Sequence, residues 1–205
     1  FERDPVTGRV RQYDESFGPV AKQKYFERVS DLSEEVCRLL KDLRDHPGGR
    51  SPIPENGKTI YLAVTSSDSA EAWDRLKREL TERGHRVLPD RPLPVGGPEI
   101  RAAVRDWLHE CDASIHVIGS RYGYIPEEAD CSIVELQHRL ALEHLPRPSG
   151  RRFLWLPRSW NTADARQDGF VRSIFDSEEI HQGAEVVQDS LENFKTLLLD
   201  SLKPR

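Results

Sequence analysis

The run Thr59-Ile60-Tyr61-Leu62-Ala63-Val64-Thr65 decides the fold. Its interior is apolar without the alternation of a half-exposed strand. Ile, Tyr, Val and Thr suit a pleated surface. Such a run reads as a strand covered on both faces, as in parallel sheets flanked by helices. The chain beyond it agrees. Ala70–Arg83 carries Trp73, Leu76 and Leu80 at helical spacing and is ended by Gly84. Arg86–Leu88 reads as a short strand, Asp90–Pro98 as a loop, and Glu99–Glu110 as a helix with Ile100, Val104, Trp107 and Leu108 inward. Strand Ala113–Ile118, helix Cys131–His144, strand Arg152–Leu156 and helix Ala163–Phe175 follow, with a last short strand at Glu185–Val187 and a closing amphipathic helix at Leu191–Leu202. Strands alternating with helices imply right-handed crossovers and a parallel sheet. The predicted class is α/β: a flavodoxin-like five-stranded parallel sheet in the order 2-1-3-4-5, with helices on both faces.

Upstream of Thr59 the composition changes. Residues 1–18 are polar and turn-rich (Asp4-Pro5, Thr7-Gly8, Phe17-Gly18) and read as a tail or linker. Residues 19–46 form an amphipathic pattern opened by Pro19, with Phe26, Val29, Leu32, Val36, Leu40 and Leu43 three or four apart. His46-Pro47-Gly48-Gly49 stops that helix, and residues 47–58 are a linker by composition. The α/β domain is therefore expected over residues 59–204.

Composition narrows the function. The chain has 205 residues, 30 basic and 35 acidic side chains mixed along its length, and a net charge of −5. No basic face exists to neutralise a phosphate backbone, so no nucleic acid contact is expected. Cys37, Cys111 and Cys131 show no C-x-x-C spacing, which argues against a zinc site and a disulfide framework and for a reducing cytoplasm. No apolar run approaches the roughly 18 residues of a membrane span. No signal peptide is visible. The absence of methionine and the start at Phe1 suggest a piece of a larger protein with further domains.

In the predicted order, ligands bind beyond the carboxyl ends of the strands, where the winding direction switches between strands 1 and 3. The loop after strand 1 offers Thr65, Ser66, Ser67 and Asp68; the loop after strand 2 offers Asp90, Gly96 and Gly97; the loop after strand 3 offers Tyr122 and leads to Cys131. These are the candidate substrate-binding residues. Hydroxyls at a helix N-terminus can bind ribose or phosphate oxygens, although Asp68 or Ser69 can equally serve as the helix cap. No dinucleotide fingerprint or P-loop follows any strand, and no metal ligand set is recognisable. His116, between Ile115 and Val117, reads as a core or sheet-face histidine. Trp155 and Trp160 read as core or rim.

Glu135 carries two readings. Ser132-x-x-Glu135 fits a capping box, in which Glu135 reaches back to the Ser132 amide; Glu135 can also pair with Arg139 one turn on. Alternatively, a carboxylate at the crevice can stabilise an oxocarbenium-like transition state or act as nucleophile on a glycosidic bond.

The order TIYLAVTSSDS, VLPDRPLPVGGPEIRAAV, CDASIHVIGSRYGY and DCSIVEL resembles a bacterial-type Toll/interleukin-1 receptor homology (TIR) domain, and the resemblance covers about 70% of the chain. Cys131, Glu135 and Leu136 fall on the family's Trp-Cys-x-x-Glu-Leu box, with Asp130 in place of its Trp. The resemblance implies an NAD+ glycohydrolase with Glu135 catalytic, releasing nicotinamide and ADP-ribose or a cyclic form. NAD+ is then a substrate and no cofactor is implied. It also implies self-association, in which the flexible loop after strand 2 often takes part, and a role in bacterial antiphage defence. Many family members are instead non-catalytic interaction domains. Ile60-Tyr61-Leu62-Ala63 is also similar to nucleoside deoxyribosyltransferases, which use a glutamate on an N-glycosidic bond.

Overall fold

The structure, a computed structural model, describes Glu2–Arg3, Val10–Arg11, Lys22, Tyr25, Phe26, Val29, Ser33, and residues 57–145, 150–181 and 183–203. Two compact units divide near Pro52. In the first, Glu2–Arg3 pairs antiparallel with Val10–Arg11 inside the segment read as a tail. Lys22, Tyr25, Phe26, Val29 and Ser33 are helical. The remainder of the expected 19–46 helix, and most of the 47–58 linker, lie outside the described residues.

The second unit is built on one parallel sheet. Its strands are β1 (Thr59–Leu62), β2 (Arg86–Leu88), β3 (Ala113–Val117), β4 (Arg151–Pro157) and β5 (Ala184–Asp189). They lie in the order β2-β1-β3-β4-β5, every neighbouring pair parallel. This is the doubly wound flavodoxin-like α/β arrangement expected from the sequence. The helices are α1 (Ala70–Glu82), α2 (Gly97–His109), α3 (Ile133–His144), α4 (Ala165–Asp176), α5 (Glu178–His181) and α6 (Leu191–Leu202), with a 3-10 turn at Ser67–Ser69 before α1.

Side chains alternate across the strands and divide the core into two layers. Ile60, Leu62, Ile115, Val117 and Phe153 pack under Leu76 and Leu80 of α1 and Phe194 and Leu198 of α6. Tyr61, Leu88, Leu154 and Leu156 face Ile100 and Val104 of α2, Leu136 and Leu140 of α3, and Phe170 and Ile174 of α4. The unbroken apolar wording of Ile60–Leu62 follows from this: each face of the strand meets a helical layer.

Most element ends shift by one to three residues from the sequence reading, and two shifts and one added helix have a visible consequence. β1 ends at Leu62 rather than Thr65. Beyond Ala63, which still donates to the Ile115 carbonyl, the chain leaves the ladder because Gln137 of α3 takes both the amide and the carbonyl of Val64. α2 starts at Gly97, inside the segment read as loop. Pro98 is tolerated there because the first helical turn needs no amide donor. The short helix α5 was not anticipated at all.

Candidate functional site

The loops that follow β1, β3 and β4 meet at the carboxyl edge of the sheet, where the winding changes direction. Asp68 ties the first two together. One of its oxygens accepts from the Ser120 amide at 2.7 Å and from the Arg121 amide at 3.3 Å, and the other accepts from the Ser66 hydroxyl at 2.6 Å. The approach is close enough that a Cβ at Gly119 would lie 2.4 Å from the Ser69 hydroxyl oxygen and 2.5 Å from the Asp68 carboxylate. Thr65 donates its hydroxyl to the Val117 carbonyl, and Arg121 reaches the Ser67 hydroxyl at 3.4 Å. Asp68 therefore spends its carboxylate on the neighbouring loop, not on capping its own helix, since no side-chain cap bond forms at α1.

The loop after β4 braces the same segment from the other side. Trp160 Nε1 and Gln167 Nε2 both donate to the Gly119 carbonyl, at 2.9 and 2.7 Å, and the Thr162 hydroxyl donates to the Ser120 carbonyl. The β3–α3 loop is thus held by side chains from the segments after β1 and β4 and from α4 before it delivers Tyr122. At Gly123 the backbone turns through φ +84°, a conformation that favours glycine.

Glu135 lies in the first turn of α3. Ser132 caps that helix, its hydroxyl accepting from the Glu135 amide at 3.2 Å. The reciprocal half of the capping box is not made. The carboxylate instead accepts from the Tyr122 hydroxyl through Oε2 at 2.7 Å and pairs with Arg139 through Oε1 at 2.5 Å. Its side chain is 13% exposed. Arg139 also reaches Asp130 at 3.2 Å, and Asp130 reaches Arg101 of α2 at 3.4 Å. The ring of Tyr122 is buried, with the Arg166 guanidinium 4.8 Å from its centroid. Burial, reinforced by the hydrogen bond to Glu135, pushes the Tyr122 phenol up to about 12, so it is a donor throughout the physiological range.

The remaining sequence candidates are dispersed. Cys131 is buried, and burial raises its thiol to about 11, which leaves it protonated and inaccessible to a ligand from the open face. Gly96 and Gly97 pack on the β3–α3 loop: Gly96 bridges Glu127, and the Gly97 amide donates to the Glu127 carbonyl at 2.8 Å. Asp90 is exposed, with Arg86 at 3.9 Å as an ion-pair partner, and no bond joins it to Glu135. The structure thus brings Ser66, Ser67 and Asp68 to the β3–α3 loop and Tyr122 to Glu135.

Sequence reasoning missed Gln137, Thr162, Arg166 and Gln167, and read Trp160 only as core or rim. Gln137 lies one turn beyond Ile133 on the helix that the motif Asp130–Leu136 opens, and a buried glutamine in an otherwise apolar stripe was the available signal. Trp155 donates to the Asp189 carbonyl at the edge of the core. His116 is fully buried and meets the buried His138 edge to face, with ring centroids 5.5 Å apart. Among the described residues, no cluster of three His, Cys, Asp or Glu could hold a metal ion, and no helix is long and apolar enough to cross a membrane. The sequence matches no protein-family model and no curated protein.

Proposed function

We propose that this domain cleaves the N-glycosidic bond of NAD+, with Glu135 as the catalytic residue, and that it works as a self-associated TIR-like enzyme of the kind that serves bacterial defence. The observation that carries the reading is the direction of the Glu135 carboxylate. It turns from the terminus of its own helix to Tyr122 and Arg139, in the first turn of the helix that follows β3, and doubly wound sheets bind ligands beyond the carboxyl ends of such strands.

The chemistry asked of the carboxylate is modest. As the bond from ribose C1′ to the nicotinamide nitrogen breaks, its electron pair leaves with nicotinamide and C1′ becomes cationic. A fixed negative carboxylate beside C1′ stabilises that charge more than it stabilises the ground state, which is what acceleration requires. Water then adds to C1′ and loses a proton, giving ADP-ribose; a nucleophile within the same molecule gives a cyclic product instead. Arg139 and Tyr122 fix the two carboxylate oxygens so that little reorganisation is needed when charge develops. Other nucleosides share this bond, so a panel of NAD+, nicotinamide riboside and deoxynucleosides separates an NADase from a deoxyribosyltransferase-like enzyme.

A second reading, a non-catalytic homotypic interaction domain, is favoured by one observation. Val95, Tyr124 and Ile125 are 80%, 53% and 45% exposed on the two loops that the Gly96–Glu127 bridge joins. An apolar rim of this kind suits docking between copies. The two readings part at Glu135→Gln, which abolishes nicotinamide release in an enzyme, whereas a scaffold releases none with or without the substitution.

A further inference from the structure

We propose that Tyr122 is a positioning residue whose hydroxyl holds the Glu135 carboxylate, and so keeps Glu135 from closing onto its own helix terminus. The proposal rests on the reading of Glu135 as catalytic. Ser132 and Glu135 have the identities and spacing of a capping box, and the hydroxyl half of that box is formed at 3.2 Å. In the other half the carboxylate would accept directly from the Ser132 amide. That bond is not made: the carboxylate's partners are the Tyr122 hydroxyl, which donates to Oε2 at 2.7 Å, and Arg139 at Oε1. The phenol donor holds the carboxylate turned away from the Ser132 amide.

The donor is itself held. The Tyr122 ring is buried between its neighbours and is faced by the Arg166 guanidinium. Arg166 is fixed by Asp164 at 2.7 Å, and Asp164 caps α4. The adjoining backbone is fixed at Gly119 and Ser120 by Trp160, Gln167 and Thr162. A glutamate has three rotatable bonds and two partners competing for it; the geometry gives the outward rotamer to Tyr122. Without the hydroxyl, a charge-assisted bond from the Ser132 amide becomes available to the carboxylate. A shift of about 1 Å at a reacting group can cost about 10²-fold in rate.

Tyr122→Phe removes the hydroxyl and leaves the ring in place. Two readouts decide the matter. Amide exchange at Ser132, followed by NMR, should slow about fivefold in Tyr122→Phe, the value of a capping bond, and this slowing should vanish in Tyr122→Phe/Glu135→Gln. NAD+ cleavage should lose about 10²-fold in kcat with KM within about threefold. Unchanged or faster Ser132 exchange in Tyr122→Phe overturns the proposal. Wild-type kcat in Tyr122→Phe, from a preparation in which Glu135→Gln is inactive, overturns it as well. Should Glu135→Gln cleave NAD+ as fast as wild type, the reading of Glu135 as catalytic fails on its own, and Ser132 exchange still decides whether Tyr122 holds Glu135 out of the box.

Discussion

Substituting Gln137 with leucine removes a side chain that uses its full hydrogen-bonding capacity inside the core. Its Oε1 accepts from the Tyr61 hydroxyl at 2.7 Å and the Val64 amide at 2.9 Å; its Nε2 donates to the carbonyls of Val64 and Ile133, both at 2.9 Å. Tyr61 and Gln137 are fully buried. Burial holds the Tyr61 phenol well above its usual range, so it remains a donor that must find an acceptor. Leucine fills a similar volume but strands the Tyr61 hydroxyl and both polar groups of Val64. A buried group left unsatisfied costs about 1–3 kcal/mol. The Ile133 carbonyl keeps its helical partner, and Val64 is only partly buried, so water can reach it. The expected loss is therefore about 2–5 kcal/mol, a drop in melting temperature on the order of 10 °C for a domain of this size. Urea unfolding monitored by tryptophan fluorescence gives the free energy, and calorimetry gives the temperature. Adding Tyr61→Phe to Gln137→Leu should recover at least about 1 kcal/mol, because the stranded hydroxyl is then gone. A loss below about 0.5 kcal/mol, or strict additivity of the two substitutions, would refute the claim that Gln137 fastens α3 to the end of β1.

Two further predictions concern the supporting structure. A Cβ at Gly97 would sit 2.6 Å from the Glu127 carbonyl oxygen, so Gly97→Ala should cost about 1–3 kcal/mol and loosen the 89–96 loop, seen as faster proteolysis there. The buried His116–His138 pair makes the fold sensitive to acid. Desolvation is the first cause for both: it holds His116 well below 6.5 and lowers His138 to about 4, with Arg152 adding to each effect. In the unfolded chain these rings take up protons near pH 6.5 while the folded chain resists, so their contribution is complete above pH 6.5 and is lost as pH falls toward 4. For His138 alone the loss over that interval is about 3 kcal/mol. Urea unfolding at a series of pH values should show it, and His138→Leu should make the profile shallower.

The parts of the fold that were legible in the sequence are those written in periodic patterns. Ile60–Leu62 announces a doubly covered strand because each face meets a helix, and Leu76, Leu80 or Ile100, Val104 repeat with the period of one buried helical face. Ser132 at the start of α3 was legible because caps have a narrow chemistry. The start of α2 was not, since Gly96-Gly97-Pro98 spells a loop in every local sense; only the carbonyl of Glu127, thirty residues on, makes use of the Gly97 amide. The site was half legible for the same reason. Glu135 and its pairing with Arg139 follow from helix spacing, and the switch-point loops follow from topology. The bonds from Trp160, Thr162 and Gln167 to the irregular loop at Gly119 and Ser120 span more than forty residues and leave no period to read. Tyr122 was placed near the ligand, but that its hydroxyl is spent on Glu135 depends on a loop path that no pattern encodes.

The central claim is that Glu135 is a catalytic carboxylate rather than a helix-terminal one, and its most direct test is nicotinamide release from NAD+ by wild type and Glu135→Gln. Both proteins should be assayed at high concentration in samples shown by light scattering to be assembled and by circular dichroism to be folded. The account predicts turnover by wild type and loss of at least about 10²-fold in the variant, with folding stability changed by about 1 kcal/mol or less. An assembled, folded wild type that releases no nicotinamide, or a variant that matches it, would contradict the account.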